Sequence, residues 1–154
     1  MLNDILWRAI KRAQIPAVKE PTGLSRTDGK RPDGATLLPW AKGKPLAWDV
    51  TVPDTYADSH IAQSATTPCA TADQAANKKT AKYQHLASTH LFFPVAIETS
   101  GAYNNLAIEL IQEIGKSTAL VTLDQRESMY LFQRLSIAIQ RGGAVSLAGT
   151  FESI

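Results

Sequence analysis

Hydrophobic residues recur along this chain with two different periods, and the change from one period to the other predicts the order of its elements. Residues 2–14 place apolar side chains three or four positions apart, with charged residues between them, which predicts an amphipathic helix. Apolar runs of strand length follow at residues 15–20, 35–40 and 45–52. The last two runs are joined by a glycine turn at 41–44, so we expect them to pair as a hairpin.

Residues 71–87 return to the helical period. The stripe of this helix that would face a sheet contains four apolar residues: Ala72, Ala76, Tyr83 and Leu86. Lys79 fills the gap in that stripe, whereas Lys78 and Lys82 flank it and can point to water. We therefore expect Lys79 to face the sheet.

The remaining chain predicts one loop, one strand and two helices. Residues 53–68 are polar and without a period, so they predict a loop, and the apolar run at 91–97 predicts a buried strand. Helices are expected at 105–118 and 125–141, the second ending at Gly142. The order helix, three strands, helix, strand, two helices predicts an α/β fold with helices on the faces of a mixed β-sheet.

Length and charge narrow the class of protein. A chain of 154 residues corresponds to about one domain. With 16 Lys and Arg against 14 Asp and Glu, the net charge of +2 indicates no global basic field, although local basic patches remain compatible with nucleic acid.

Cysteine content and hydropathy bear on the compartment. The single cysteine, Cys69, cannot form an internal disulfide and has no neighbour at metal-ligand spacing, which fits a reducing compartment and excludes a zinc knuckle. No apolar run reaches the length of a membrane span, and the N-terminus lacks the apolar core of a signal peptide. We expect a nuclear or cytoplasmic protein that is neither secreted nor bound to a membrane.

Asp49 is unusual because it stands inside the otherwise apolar strand at 45–52. A buried carboxylate is costly unless it is paired or holds a metal ion. Asp33 directly precedes the partner strand, so the hairpin would bring it towards Asp49. Two adjacent carboxylates repel unless a cation lies between them, and hard oxygen ligands favour Mg²⁺ or Mn²⁺. This pattern indicates metal-dependent hydrolysis of a phosphodiester.

These residues resemble a known group of nucleases. The Arg-Pro-Asp segment at 31–33 and the Trp-Asp-Val-Thr-Val segment at 48–52 resemble the PD-(D/E)XK superfamily, whose core is helix, three strands, helix, strand. More narrowly, residues 15–142 resemble the restriction-like endonuclease region downstream of the reverse transcriptase in some non-LTR retrotransposons.

The resemblance implies a single nuclease-like domain over residues 1–154. Its restriction-endonuclease-like αβββαβ core would span about 1–99, with a C-terminal helical extension at about 104–142. The implied function is that of a metal-dependent DNA endonuclease derived from a retroelement, with RNA as an alternative substrate.

The resemblance also assigns catalytic roles. Asp33 and Asp49 would hold the metal. The catalytic lysine of the superfamily stands two residues after the second acid, where this sequence has Thr51. The retrotransposon nucleases take this lysine from the following helix, which implies Lys79, with Lys82 as the substitute.

Further residues are implied with less support from the pattern. Glu20 resembles an extra catalytic and metal-binding acid that some members place before the motif, and Glu98 is a weaker fifth acid. Lys30 and Arg31 beside the motif, together with Lys78 on the following helix, are the candidate contacts to nucleic acid phosphates.

Each assignment has a simpler alternative. Asp33 could be only a turn residue before Gly34, and Asp49 could be a structural acid paired with Arg31 or Lys79. Lys79 could extend past the stripe to water, and Glu20 could be an exposed strand end. The whole chain could be an inactive nucleic-acid-binding or structural remnant, and its apolar C-terminal helices could form a homodimer.

Overall fold

A computed structural model describes residues 2–24, 30–54 and 70–152, with side chains described as far as residue 142. The helices are α1 (Leu2–Arg12), α2 (Ala70–Lys82), α3 (Asn105–Thr122) and α4 (Glu127–Glu152). The strands are β1 (Ala17–Lys19), β2 (Gly34–Ala41), β3 (Lys44–Thr51) and β4 (Leu91–Ala96). The predicted order of elements is confirmed; most of the predicted loop at 53–68 lies outside the described residues.

The four strands form one mixed sheet in the order β1-β2-β3-β4. The first three strands are antiparallel neighbours, and β4 is parallel to β3. The β2–β3 hairpin turns through Lys42 and Gly43, whose φ angles of 52° and 72° are the positive values of a tight hairpin turn. The predicted α/β class with a mixed sheet is confirmed.

Helices cover both faces of the sheet. The larger core lies on the face covered by α1, α3 and α4, and it includes Leu46 and Trp48 of β3. Ala47 lies on the opposite face, in a smaller cluster with Tyr83 and Leu86 just after α2. Because side chains alternate along a strand, Asp49 projects to the same face as Ala47, beneath α2.

The outer edge of β4 is completed by one side chain. The buried Asn104 donates a hydrogen bond from Nδ2 to the carbonyl of Pro94 at 2.8 Å and accepts one at Oδ1 from the N–H of Ala96 at 2.8 Å. These bonds satisfy backbone groups that a neighbouring strand would otherwise pair. The buried half of β4, residues 94–96, therefore has hydrogen-bond partners at the edge of the sheet.

Three predicted boundaries differ from the structure. β1 is shorter than 15–20, because Glu20 leaves the strand with a φ of 45°. α2 ends at Lys82 instead of residue 87, and a short 3-10 helix follows at Gln84–Leu86. The C-terminal extension does not end at Gly142, because that glycine keeps the helical conformation and α4 continues to Glu152. A glycine inside a helix costs only about 1 kcal/mol, so neighbouring turns can carry the helix through it.

Within the described part of the chain, none of the helices is both long enough and apolar enough to cross a membrane.

Candidate functional site

Asp33 and Asp49 meet at the end of the β2–β3 hairpin. The register pairs Gly34 with Trp48 on the neighbouring strand. Asp33 directly precedes Gly34 and Asp49 directly follows Trp48, so the two acids are brought side by side. The backbone N–H of Asp33 donates to Asp49 Oδ1 at 3.1 Å, and the N–H of Val50 donates to Asp33 Oδ2 at 2.7 Å. Each acid is thus held by the strand that carries the other.

The proximity of the two acids changes their electrostatics. Burial raises the pKa of Asp33 to about 6, the N–H of Val50 opposes the rise, and the negative charge of Asp49 adds to it. Below a pH of about 6 the Asp33 carboxyl therefore takes up a proton. Above that pH, two negative charges share a partly buried space, which is the arrangement that attracts a cation.

Lys79 lies against the second acid. Its Nζ is 2.8 Å from Asp49 Oδ2, with 26% of the lysine side chain and 5% of the aspartate side chain exposed. The two groups form an ion pair, but the approach lacks the angles of a hydrogen bond. Asp49 Oδ2 consequently accepts no hydrogen bond from any described residue. This buried carboxylate oxygen is therefore contacted by the Lys79 ammonium without a hydrogen bond.

The α2 stripe explains why Lys79 reaches the acid. Ala72 and Ala76 before it and Tyr83 after it are buried, as the sequence predicts. The small alanines leave space under the helix, so the lysine chain can pass inward to the sheet. Tyr83 continues the stripe, and its hydroxyl donates to the carbonyl of Arg31 at 2.8 Å. Tyr83 therefore fixes the segment that leads into Asp33.

A cleft of about 320 Å³ opens beside Asp33, the first acid of the pair. Its lining combines polar and apolar residues: Leu2, Asn3, Asp33, Val50, Thr51 and Val52. Thr51, where the resemblance implies a lysine in other nucleases, is uncharged and lines this cleft. The positive charge at the site comes instead from Lys79.

The chain was compared with known families and with curated proteins. No family model matches the sequence, and no curated protein matches it. Any inference about function therefore rests on the acid pair, Lys79 and the cleft.

Glu20 is the predicted third acid. Its backbone N–H donates to the carbonyl of Asp33 at 2.9 Å, but its carboxylate is 63% exposed and pairs with Arg31 Nη2 at 3.5 Å. In residues 2–24, 30–54 and 70–152, no group of three acidic, histidine or cysteine side chains converges as a metal site. The contact of Glu20 with the acid pair is therefore the hydrogen bond from its backbone N–H to Asp33. The catalytic role of its carboxylate stays a prediction.

The other predicted basic residues are exposed or partly buried. Lys30 and Lys78 are exposed, as is Arg31 apart from its ion pair with Glu20. Lys82 is partly buried, and its Nζ lies 5.3 Å from the centre of the Tyr83 ring. The structure thus brings Lys79, and not its substitute Lys82, into contact with Asp49.

Glu98, the weaker fifth acid, has a different environment. It is buried, and its Oε2 accepts a hydrogen bond from the N–H of Ala72 at 3.1 Å. Ala72 is in the first turn of α2, where backbone N–H groups lack helical partners and favour a negative charge. Glu98 therefore anchors the start of the helix that presents Lys79.

Two contacts at the site were not anticipated from the sequence. Asn3 Nδ2 donates to the carbonyl of Asp33, and the Tyr83 hydroxyl holds Arg31. The α2 stripe predicted that Tyr83 is buried, but not the partner of its hydroxyl. Nothing in the helical period of residues 2–14 indicates that the first turn of α1 packs beside the hairpin.

Proposed function

We propose that this chain is a metal-dependent endonuclease domain that hydrolyses phosphodiester bonds in DNA, with the αβββαβ core of the PD-(D/E)XK superfamily. One observation carries the proposal: Asp33, Asp49 and Lys79, which are distant in sequence, come together, and Asp33 also lines a cleft. Carboxylates that can hold a metal and a cation placed next to them are groups that assist such hydrolysis.

The donor set suits a hard divalent cation. Asp33 and Asp49 would hold Mg²⁺ or Mn²⁺ through carboxylate oxygens, with water and a substrate phosphate completing the coordination. Asp49 Oδ2 accepts no hydrogen bond from the described residues but is paired with the Lys79 ammonium at 2.8 Å, so a metal at this oxygen would share it with Lys79. When bound, such a metal neutralises charge on the phosphodiester and lowers the pKa of a bound water.

Lys79 supplies a fixed positive charge at the same place. Its ammonium is held against Asp49, so its charge would act on a phosphate bound next to the acid pair. Negative charge that builds up on the phosphate oxygens during hydrolysis would be stabilised by this group. Thr51 cannot provide that charge, so the proposal depends on the positive charge of Lys79.

DNA would be held by exposed basic residues around the cleft. Lys30, Arg31 and Lys78 offer contacts to backbone phosphates, which carry no sequence information but position the strand. RNA presents the same phosphates and is the alternative substrate.

The test is cleavage of supercoiled and linear DNA with Mg²⁺, with Mn²⁺ and with EDTA. We expect metal-dependent cutting by the unmodified protein and a loss of at least about 100-fold in Asp49→Asn and in Lys79→Ala. Lys116→Ala is the matched control, because Lys116 is 73% exposed and pairs only with Glu113 at the surface of α3. Equal cutting by all four proteins would contradict the assignment of these residues.

A second candidate function is a nucleic-acid-binding remnant without turnover. Two observations favour it: Thr51 replaces the superfamily lysine, and the Lys79–Asp49 ion pair can balance the buried acid by itself. DNA binding that is unchanged by EDTA, together with no cutting in either metal, would support this function.

A further inference from the structure

Asn3 connects the two strands of the acid pair from the face of the sheet opposite Lys79. Its Nδ2 donates a hydrogen bond to the carbonyl of Asp33 at 3.2 Å. Its Oδ1 accepts one from Trp48 Nε1 at 2.8 Å. One side chain in the first turn of α1 thus contacts the backbone of the first acid and the residue that immediately precedes the second.

Trp48 makes this connection rigid. Its side chain is fully buried, and the ring lies directly on the backbone of Gly34, where an added Cβ would be only 2.0 Å from Cζ2. Such close packing leaves the indole little freedom to move. The Trp48 ring therefore contacts both Asn3 and the Gly34 backbone, next to the peptide that joins Asp33 to Gly34.

The backbone conformation of Asp33 matters for both acids. The backbone N–H of Asp33 donates to the Asp49 carboxylate, and the Asp33 carboxylate accepts from the N–H of Val50. Both hydrogen bonds therefore depend on the backbone orientation of Asp33. The carbonyl of the same residue is held by two donors, the backbone N–H of Glu20 and Asn3 Nδ2. Loss of the Asn3 contact would leave one.

We propose that Asn3 is a positioning residue that holds Asp33 in register with Asp49. This inference rests on the proposed function, because the register matters for chemistry only if the two acids act on a metal and a phosphodiester. Groups that orient metal ligands typically change affinity or rate by 10- to 100-fold when they are removed. Asn3 acts through Asp33 and also lines the cleft.

A simpler role must be separated from this one, since Asn3 also satisfies the buried indole N–H of Trp48. Substitution of Asn3 alone would leave that donor without a partner and destabilise the protein for a reason unrelated to Asp33. Trp48→Phe removes the donor. Comparison of Trp48→Phe with the double variant Asn3→Leu, Trp48→Phe therefore isolates the contact between Asn3 and Asp33.

Three measurements apply to this pair of variants. In the double variant we expect kcat for DNA cleavage to fall about tenfold with KM within about twofold, and Mn²⁺ to bind about tenfold more weakly. We also expect faster hydrogen exchange at the Val50 amide, which donates to Asp33. Asn77→Leu, at an exposed position on α2, is the control and should change none of the three.

The outcomes separate this inference from the proposed function. Equal kcat, Mn²⁺ affinity and Val50 exchange in the two variants would overturn the role of Asn3. If the unmodified protein neither cleaves DNA nor binds Mn²⁺, the proposed function fails, and Val50 exchange still decides whether Asn3 holds Asp33: faster exchange supports the positioning, and unchanged exchange overturns it.

Discussion

The ion pair between Lys79 and Asp49 allows a quantitative prediction about stability. Lys79→Met keeps most of the alkyl chain under α2 but removes the ammonium that lies 2.8 Å from Asp49 Oδ2. Asp49 is buried and has no second cation in the described salt bridges, so its charge would lose its compensation. This differs from truncation of a surface pair, where water replaces the lost partner.

The magnitude follows from the burial of the two partners. At an effective dielectric constant of about 20, two charges 4 Å apart interact by about 4 kcal/mol, and breaking a buried pair costs about 3–5 kcal/mol. A quarter of the Lys79 side chain is exposed, so solvent reduces this value. We expect Lys79→Met to lower the free energy of unfolding by about 2–4 kcal/mol at pH 8.

The assay is urea unfolding at pH 8 and at pH 5. Because the pKa of Asp33 is raised to about 6, the folded acid pair takes up a proton between pH 8 and pH 5. At pH 5 the pair therefore carries less negative charge that the ammonium of Lys79 would have balanced. The folded state binds this proton more tightly than the unfolded chain does. The loss in free energy of unfolding caused by Lys79→Met should therefore shrink as the pH falls through about 6.

A double variant controls for packing. Asp49→Asn combined with Lys79→Met removes both charges, so it should be more stable at pH 8 than Lys79→Met alone. A loss below about 0.5 kcal/mol at both pH values would refute the reasoning, because it would mean that the pair behaves like an exposed one.

Three further predictions concern the scaffold and the pH dependence. Gly34→Ala should lower the free energy of unfolding in urea by about 3 kcal/mol, because the new Cβ would meet Trp48 at 2.0 Å; Gly23→Ala, with nothing within 4 Å, is the control, and equal losses would contradict the close approach. Asn104→Ala should cost about 2–4 kcal/mol in the same assay by leaving two buried backbone groups of β4 unpaired, and a loss under about 0.5 kcal/mol would show that water replaces the side chain. The rate of metal-dependent cleavage should rise with pH through about 6 as Asp33 loses its proton, and a flat profile between pH 5 and 7 would argue against Asp33 as a ligand.

Local spacing in the sequence anticipated much of the arrangement around Asp49. The period of two in β3 placed Asp49 on the face opposite Trp48, and the period near 3.6 in α2 placed Lys79 in the stripe that faces the sheet. The glycine turn between β2 and β3 predicted the hairpin that brings Asp33 and Asp49 together. These regularities are set by backbone geometry within one element, so they do not depend on where that element packs in the fold.

Long-range packing decided the rest. Glu98 reads as one more acid after a strand, but the fold places its carboxylate at the first turn of α2. Gly142 reads as the end of a helix, yet α4 continues past it. Asn3 is an ordinary polar residue near the start of an amphipathic helix, and its contacts lie 30 and 45 positions further along the chain.

By itself, the amino-acid sequence determined which side chains share a face of each element, because backbone geometry repeats every two residues in a strand and every 3.6 in a helix. It therefore identified Asp33, Asp49 and Lys79 as residues that could meet. The tertiary structure decided what surrounds them: the burial of the Lys79–Asp49 ion pair, the raised pKa of Asp33 and the contact of Asn3 with Asp33. Those properties depend on burial and on distances between elements remote in sequence, which no local period encodes.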